Sequence, residues 1–352
     1  MDDRFDPNAA ADETAGVYGL PFSVDAARVV VLPVPFAATT SYRRGAQKGP
    51  AAVLEASRQV DLYDHEWGNF WEAGIAMCPP SDEVMAWERE ASALAETVIA
   101  VGGRIGDDPA LRAALDRVNV LSGKVNDFVY AAVADALAAG KEVALVGGDH
   151  AVPLGAIRAH AARWPGVGLL HLDAHADLRR HYEGFTYSHA SIIDNVLEEV
   201  PGVSRVVQVG IRDFCEEERA RIDASAGRVV TFFDADLATR AAEGVAWQRT
   251  VDEIVAALPA KVYLTFDIDG LDPTLCPNTG TPVPGGLSWR EVCGLLRGVV
   301  RSGREIVGLD LVEVAPGADS DWDANVGARI LYKMIGAMRM SKKVFDAGGE
   351  RG

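Results

Sequence analysis

The sequence predicts an α/β fold: a mostly parallel sheet with helices on both sides. Three observations predict it. Short β-branched runs recur along the 352 residues, each followed by an amphipathic or Ala-rich stretch. Those runs are apolar at consecutive positions, the pattern of strands covered on both faces. Hydrophobic residues make up 49% and charged residues 24% of the chain, enough for a large core.

The elements follow in order. Residues 1–26 begin MDDRFDPNAAADETAG, with neither the basic start nor the apolar centre of a signal peptide, and predict a flexible or edge-draped tail. Residues 27–342 form one expected domain and 343–352 a C-terminal tail. Strands are expected at 28–33, 143–146, 167–172, 205–210, 228–233, 262–268 and 305–311, where Val, Ile and Leu cluster. Helices are expected at 124–139, 153–163, 189–199, 252–258, 288–300 and 325–340. The stretch 74–109 is less regular and is expected to leave the sheet. No repeat, low-complexity tract or Pro/Ser linker interrupts the middle.

Charge narrows the function classes. The net charge of −17 would repel a phosphate backbone, and no basic cluster reverses it, so nucleic acid is excluded as a partner. A small cation would be attracted; the acidity equally serves solubility. No apolar stretch approaches the roughly 20 residues that cross a bilayer. The four cysteines, Cys78, Cys215, Cys276 and Cys293, form no CxxC pair, so neither a disulfide framework nor a thiolate zinc site is expected. The expected compartment is the cytoplasm.

The polar residues sit where strands end. GGDH follows the strand at 143–146, DAHAD the strand at 167–172, DIDGLDP the one at 262–266, and VEVAP the last. Ligands of open α/β sheets bind beyond the carboxyl ends of the strands. Residues at i, i+2 and i+4 of an extended segment point the same way, so Asp173, His175 and Asp177 converge, as do Asp267 and Asp269. With His150 the set is four carboxylates and two imidazoles. That many anions repel one another in a low-dielectric cleft unless cations are present, and two ions sharing bridging carboxylates use the set best. Oxygen and nitrogen donors without sulfur point to Mn²⁺ or a neighbour such as Ni²⁺ or Co²⁺. The alternative, loop aspartates capping helices, covers a lone DAHAD but not two alternating clusters plus GGDH. Asp149 and Asp272 are expected as supporting or turn residues, and His171 as a group that packs or bonds within the sheet.

GGDH, DAHAD, FDIDGLDP, TGTPVPGGL and the later EV resemble the ureohydrolase family of arginases, agmatinases, formimidoylglutamases and guanidino-acid hydrolases. The resemblance runs from about Val29 to Met340. It implies a three-layer α/β/α sandwich, arginase-like, with about eight mostly parallel strands. It also implies two divalent ions, Mn²⁺ or Ni²⁺, whose bridging hydroxide attacks a guanidinium carbon and releases urea with an amine or ammonia. Carried over by position, His150, Asp173, Asp177 and Asp267 hold one ion. Asp173, His175, Asp267 and Asp269 hold the other, with Asp173 and Asp267 bridging. His189 in YSHAS matches the proton shuttle and Glu313 the acid that holds the guanidinium. The family implies a homo-oligomer, a trimer or hexamer, or a heteromer with a paralogous subunit.

Substrate identity rests on departures from the arginase pattern. Leu178 and Arg179 follow DAHAD where arginases carry a hydrophobic residue and then Asn, and Cys215 stands where they have an acid for the α-amino group. L-arginine is therefore not the expected substrate. YEGFTYSHAS and WDANVGARILYK resemble an agmatinase-like subgroup that includes hydrolases of free guanidine. Phe185, Tyr187 and Trp322 are expected to close a small pocket. Guanidine or a small substituted guanidine leads, followed by agmatine, then 4-guanidinobutyrate and biguanides. Outside this class stand a zinc deacetylase of similar fold, which uses a single Asp-His-Asp set, and a supporting subunit of a heteromeric ureohydrolase.

Overall fold

In the computed structural model, which describes residues 5–349, eight strands make one all-parallel sheet. The strands are β1 (Val29–Val34), β2 (Ile75–Met77), β3 (Glu142–Gly147), β4 (Val167–Leu172), β5 (Val203–Ile211), β6 (Val229–Phe233), β7 (Lys261–Asp267) and β8 (Glu305–Val312). Their order across the sheet is β2-β1-β3-β8-β7-β4-β5-β6.

Alternation along each strand feeds two cores. In β4, Leu170 and Leu172 face one side while Val167 and Leu169 face the other; in β7, Val262, Leu264 and Phe266 oppose Tyr263. The first side is covered by α1 (Gly49–Ser57), α8 (Trp247–Ala257), α9 (Trp289–Arg301) and α10 (Trp322–Gly349), through Val53, Ile254, Leu295 and Leu331. The second is covered by α2 (Asp82–Ile99), α3 (Pro109–Ala138), α4 (Leu154–Arg163) and α5 (Ile192–Glu199), through Ala91, Val125, Ile157 and Ile193. Two short helices, α6 (Glu216–Ala224) and α7 (Asp234–Ala242), flank β6. A parallel sheet needs this cover because both of its faces are apolar. The result is the expected three-layer sandwich.

The differences from expectation are local. The irregular stretch 74–109 contains β2, which pairs with β1 at the sheet edge, and α2. Three residues are too few for a periodicity to register. Helix α2 does carry a start signal: Ser81 caps it by accepting from Val84 N at 3.4 Å, ahead of Asp82 and Glu83. Helix α3 starts well before residue 124, where Asp108 accepts from Ala110 N and Leu111 N ahead of Pro109. Near the N-terminus, Tyr18 is buried, with its hydroxyl donating to the Ala328 carbonyl at 3.1 Å, so this stretch lies against α10. Residues 343–349 continue α10, and 1–4 and 350–352 lie outside the described residues. Among the described residues no helix is long and apolar enough to cross a membrane.

One close approach fixes α4 on the sheet. The His160 imidazole is fully buried, donates from Nδ1 to the Ala156 carbonyl at 2.7 Å, and meets Tyr263 edge-on. Burial holds it neutral, with its pKa down to about 4. A Cβ on Gly308 of β8 would sit well inside contact with that ring. Gly308→Ala is expected to cost roughly 1–3 kcal/mol of overpacking, read as a lower urea midpoint.

Candidate metal centre

The expected ligand segments lie on β3, β8, β7 and β4, which are contiguous in the sheet. After β3, Gly148 lets the chain cross the Phe36 backbone, where a Cβ would collide, and donates its N–H to the Val34 carbonyl at 2.8 Å. That crossing delivers Asp149 and His150. Asp267 ends β7 and accepts from Asp269 N at 2.8 Å, capping the single 3₁₀ turn Ile268–Gly270 that aims Asp269. Asp177 (φ 54°) and Glu313 (φ 61°) take left-handed backbone conformations unusual for side chains of this kind. Each is pinned. The Asp177 carbonyl accepts from Ile193 N and Asp194 N of α5, and the Glu313 carbonyl accepts from the Thr279 hydroxyl.

Two donor groups form, joined by Asp173. Around His150 Nδ1 lie Asp173 Oδ2 at 2.9 Å, Asp177 Oδ2 at 3.2 Å and Asp267 Oδ2 at 3.5 Å. Around His175 Nδ1 lie Asp173 Oδ1 at 3.4 Å and Asp269 Oδ2 at 3.2 Å. Asp173 thus gives one oxygen to each group. Asp267 leans toward the first, its Oδ1 being held by Asp269 N. Donor atoms of Asp173, His175 and Asp269 lie within 4.8 Å of one another, as do those of His150, His171, Asp173 and Asp177.

The donors fit divalent cations. Burial and the charges of Asp269 and Asp173 push the Asp267 carboxyl well above its usual range, and burial and Asp173 push Asp177 to about 7. Burial opposes charge on His150 and His175, yet hydrogen bonds and charges from the acids hold both imidazoles well above their ordinary value. Both shifts run in the direction that a deficit of positive charge produces. Glu313 adds to it: its Oε1 accepts from His150 N at 3.1 Å, while its Oε2 is buried with no partner. Burial and the nearby acids push this carboxyl up strongly.

The supporting groups fall where local chemistry puts them. Asp149 accepts from the Thr39 hydroxyl at 2.8 Å, and Thr39 accepts from His189 N at 3.1 Å, so the GGDH acid positions the His189 backbone. Asp272 accepts from Thr274 N and hydroxyl in a turn away from the donors. His171 bonds within the sheet, to Asp173 and Gln208. In TGTPVPGGL the Thr281 hydroxyl donates to Asp269 at 3.2 Å. Arg212 binds the carbonyls of Asp269, Leu271 and Val283, riveting both loops. Neither Arg212 nor Thr39 had been singled out in the sequence, since nothing in their spacing marks them.

A cavity of about 160 Å³ opens on the donors and is lined by His175, Asp177, Arg179, Tyr182, His189 and Glu218 among others. The expected closing aromatics are elsewhere. Phe185 is buried in a satellite core with Leu115 and Val118, and Tyr187 packs against the second core. Trp322 is 45% exposed and donates to the Thr274 carbonyl. Tyr182, Phe214 and Arg179 form the wall instead. Cys215 caps α6 and does not line the cavity; an acid three residues later, Glu218, does. Glu218 is already satisfied, by Leu178 N and Cys215 N at 2.9 Å each, with Arg179 Nε 3.7 Å away. His189 sits among the hydroxyls of Thr39, Ser41 and Ser188 at 3.5 Å, and burial and the neighbouring imidazoles lower its pKa to about 4.

The arginase family's sequence profile matches residues 27–336. An N(1)-aminopropylagmatine ureohydrolase of Thermus thermophilus is 37% identical over 311 residues, 88% of this chain and 90% of its own. An agmatinase of Photorhabdus laumondii is 32% identical over 330 residues, 92% and 90%. Agmatine ureohydrolase of Thermoplasma volcanium superposes with a TM-score of 0.71 at 25% identity, covering 93% of this chain and 95% of its own.

Asp173→Asn and Asp267→Asn are each expected to abolish turnover and lower metal content, because removing a carboxylate leaves bound cations under-neutralised. Metal analysis of purified protein beside a rate assay checks this; full occupancy at the parent rate contradicts the ligand set.

Proposed function

The chain belongs to the arginase family and is a hydrolase of C–N bonds in guanidino compounds; from that premise we propose that it cleaves guanidine or a small substituted guanidine. The observation that carries this is Glu313. One of its oxygens is held by His150 N, and the other is buried without a partner beside the donor groups. A planar cation offering N–H groups satisfies that oxygen.

His150, Asp173, Asp177 and Asp267 would hold one divalent ion, and Asp173, His175, Asp267 and Asp269 the other; Mn²⁺ and Ni²⁺ suit this donor set. Bound there, two such ions supply the charge the acids lack and make hydroxide available near neutral pH. The chain's own residues do the rest. Glu313 orients the guanidinium. His189, neutral at pH 7 and lining the cavity, relays a proton to the departing nitrogen. Tyr182 stands edge-on to the His189 ring at 5.8 Å and carries the Arg179 guanidinium 5.0 Å from its own ring centroid.

That cationic wall supports a substrate whose tail is short or uncharged. Glu218 is taken by two backbone N–H groups and Arg179, so it offers no free carboxylate to an α-ammonium, and arginine is disfavoured. One observation favours a second reading. Asp213 lines the mouth with its side chain 67% exposed, and could receive the distal ammonium of agmatine. The names of the relatives favour that reading too.

A urea-release screen decides between them, using guanidine, methylguanidine, agmatine, guanidinobutyrate, arginine and a biguanide, with Mn²⁺ and Ni²⁺ in turn. The expected order is guanidine or methylguanidine first and arginine last. Agmatine far ahead of guanidine replaces the first reading with the second. Chelation is expected to abolish activity and either ion to restore it. His189→Ala should keep its metal content and slow turnover by ~10²-fold or more. Loss of metal in that variant makes His189 a ligand instead.

A further inference from the structure

Behind His150, on the side away from the acids, Thr265 of β7 and Asp310 of β8 stand directly opposite each other across the sheet, both fully buried. His150 Nε2 lies 2.9 Å from the Thr265 hydroxyl oxygen, which lies 3.0 Å from Asp310 Oδ1. Asp310 Oδ1 also accepts the Phe266 backbone N–H at 3.3 Å, so it serves as an acceptor. A hydroxyl has one proton to donate. Thr265 gives it to Asp310, and toward His150 it presents a lone pair. Nε2 must then carry a hydrogen, and in a neutral imidazole the other nitrogen is left with its lone pair. That nitrogen is Nδ1, the atom facing Asp173, Asp177 and Asp267.

We propose that Thr265 and Asp310 are positioning residues that fix the tautomer of His150, keeping Nδ1 aimed at the first ion as a lone pair. The inference rests on the metal centre described above. A neighbouring imidazole is wired the opposite way. Gln208 Nε2 donates to the Ala176 carbonyl at 2.8 Å, which identifies it as the amide nitrogen, and it also donates to His171 Nδ1 at 3.1 Å. His171 therefore carries its hydrogen on Nε2 and donates to Asp173 Oδ2 at 2.9 Å. Although His171 stands in the same cluster, it anchors a ligand and is not one. The two rings are 5.2 Å apart and differ in role because their neighbours differ.

The test is metal affinity, measured on the purified full chain by competition of Mn²⁺ and Ni²⁺ with a chromogenic chelator. Thr265→Val removes the hydroxyl at constant shape, and Asp310→Leu removes the acceptor that orients it. Each is expected to weaken one of the two ions by roughly 10–100-fold. Thr265→Ser and Asp310→Asn keep a hydroxyl and a carbonyl acceptor in place, and are expected to bind as the parent does. Thermal unfolding of the metal-free proteins accompanies the titrations. If Thr265→Val does not fold, Asp310→Leu against Asp310→Asn gives the same reading. Parent affinity in the valine or leucine variant overturns the relay alone, as does a serine variant as weak as valine. A parent chain that binds neither ion overturns the metal centre and the relay with it.

Discussion

The repulsion among buried carboxylates governs this molecule. Asp173, Asp177, Asp267, Asp269 and Glu313 are each at most 4% exposed, and they meet at one edge of a sheet whose interior is apolar. Such a set is unstable as anions. The chain offers some relief: two imidazoles inside the cluster, backbone N–H groups on Asp173, Asp267 and Asp269, and carboxyl pKa values pushed upward at Asp177, Asp267 and Glu313. Divalent cations would relieve the rest, and the neutral hydroxyls and amides around the cluster, Thr265, Thr281 and Gln208, are the groups that can stand beside such charge without adding to it.

Around that fixed floor the wall of the cavity is built differently. The floor comes from strand ends, whose directions are set by the sheet. The wall comes from 179–189 and from the segment after β5, where Arg179 lies beside Glu218 and over the Tyr182 ring, Glu218 accepts from Leu178 N and Cys215 N, and Phe214 packs on Phe233. A reaction can thus stay constant while the wall changes what is admitted, since loops tolerate substitution that strands do not.

The cluster of acids and imidazoles was legible because each member stands in a polar segment directly after an apolar strand, a pattern with few other causes. Helix α2 and strand β2 were not, the one hidden in an irregular stretch and the other too short to show a period. The aromatic wall was misassigned for a definite reason. Phe185 and Tyr187 are near His189 in sequence, but the turn at 182–185 sends Phe185 into a satellite core and leaves Tyr182 at the cavity. Thr265 and Asp310 left a faint trace, as polar residues inside the apolar runs VYLTFD and GLDLV. What that trace could not convey is that β7 and β8 are neighbours, because strand order is a property of the sheet.

That order carries a consequence for biosynthesis. β8, the last strand made, is the only described strand that pairs with both β3 and β7. Until residues 305–312 leave the ribosome, β2-β1-β3 and β7-β4-β5-β6 are two separate ribbons, each with an apolar edge open to wrong partners. His150 sits on one ribbon and its partner acids on the other. The final strand acts as a keystone: it closes the sheet, brings the two halves of the donor set together, and delivers Glu313 in the same step. Before then the second ribbon can assemble only the group around His175, since Asp173, His175, Asp267 and Asp269 all follow β4 and β7; the group around His150 waits for the last strand.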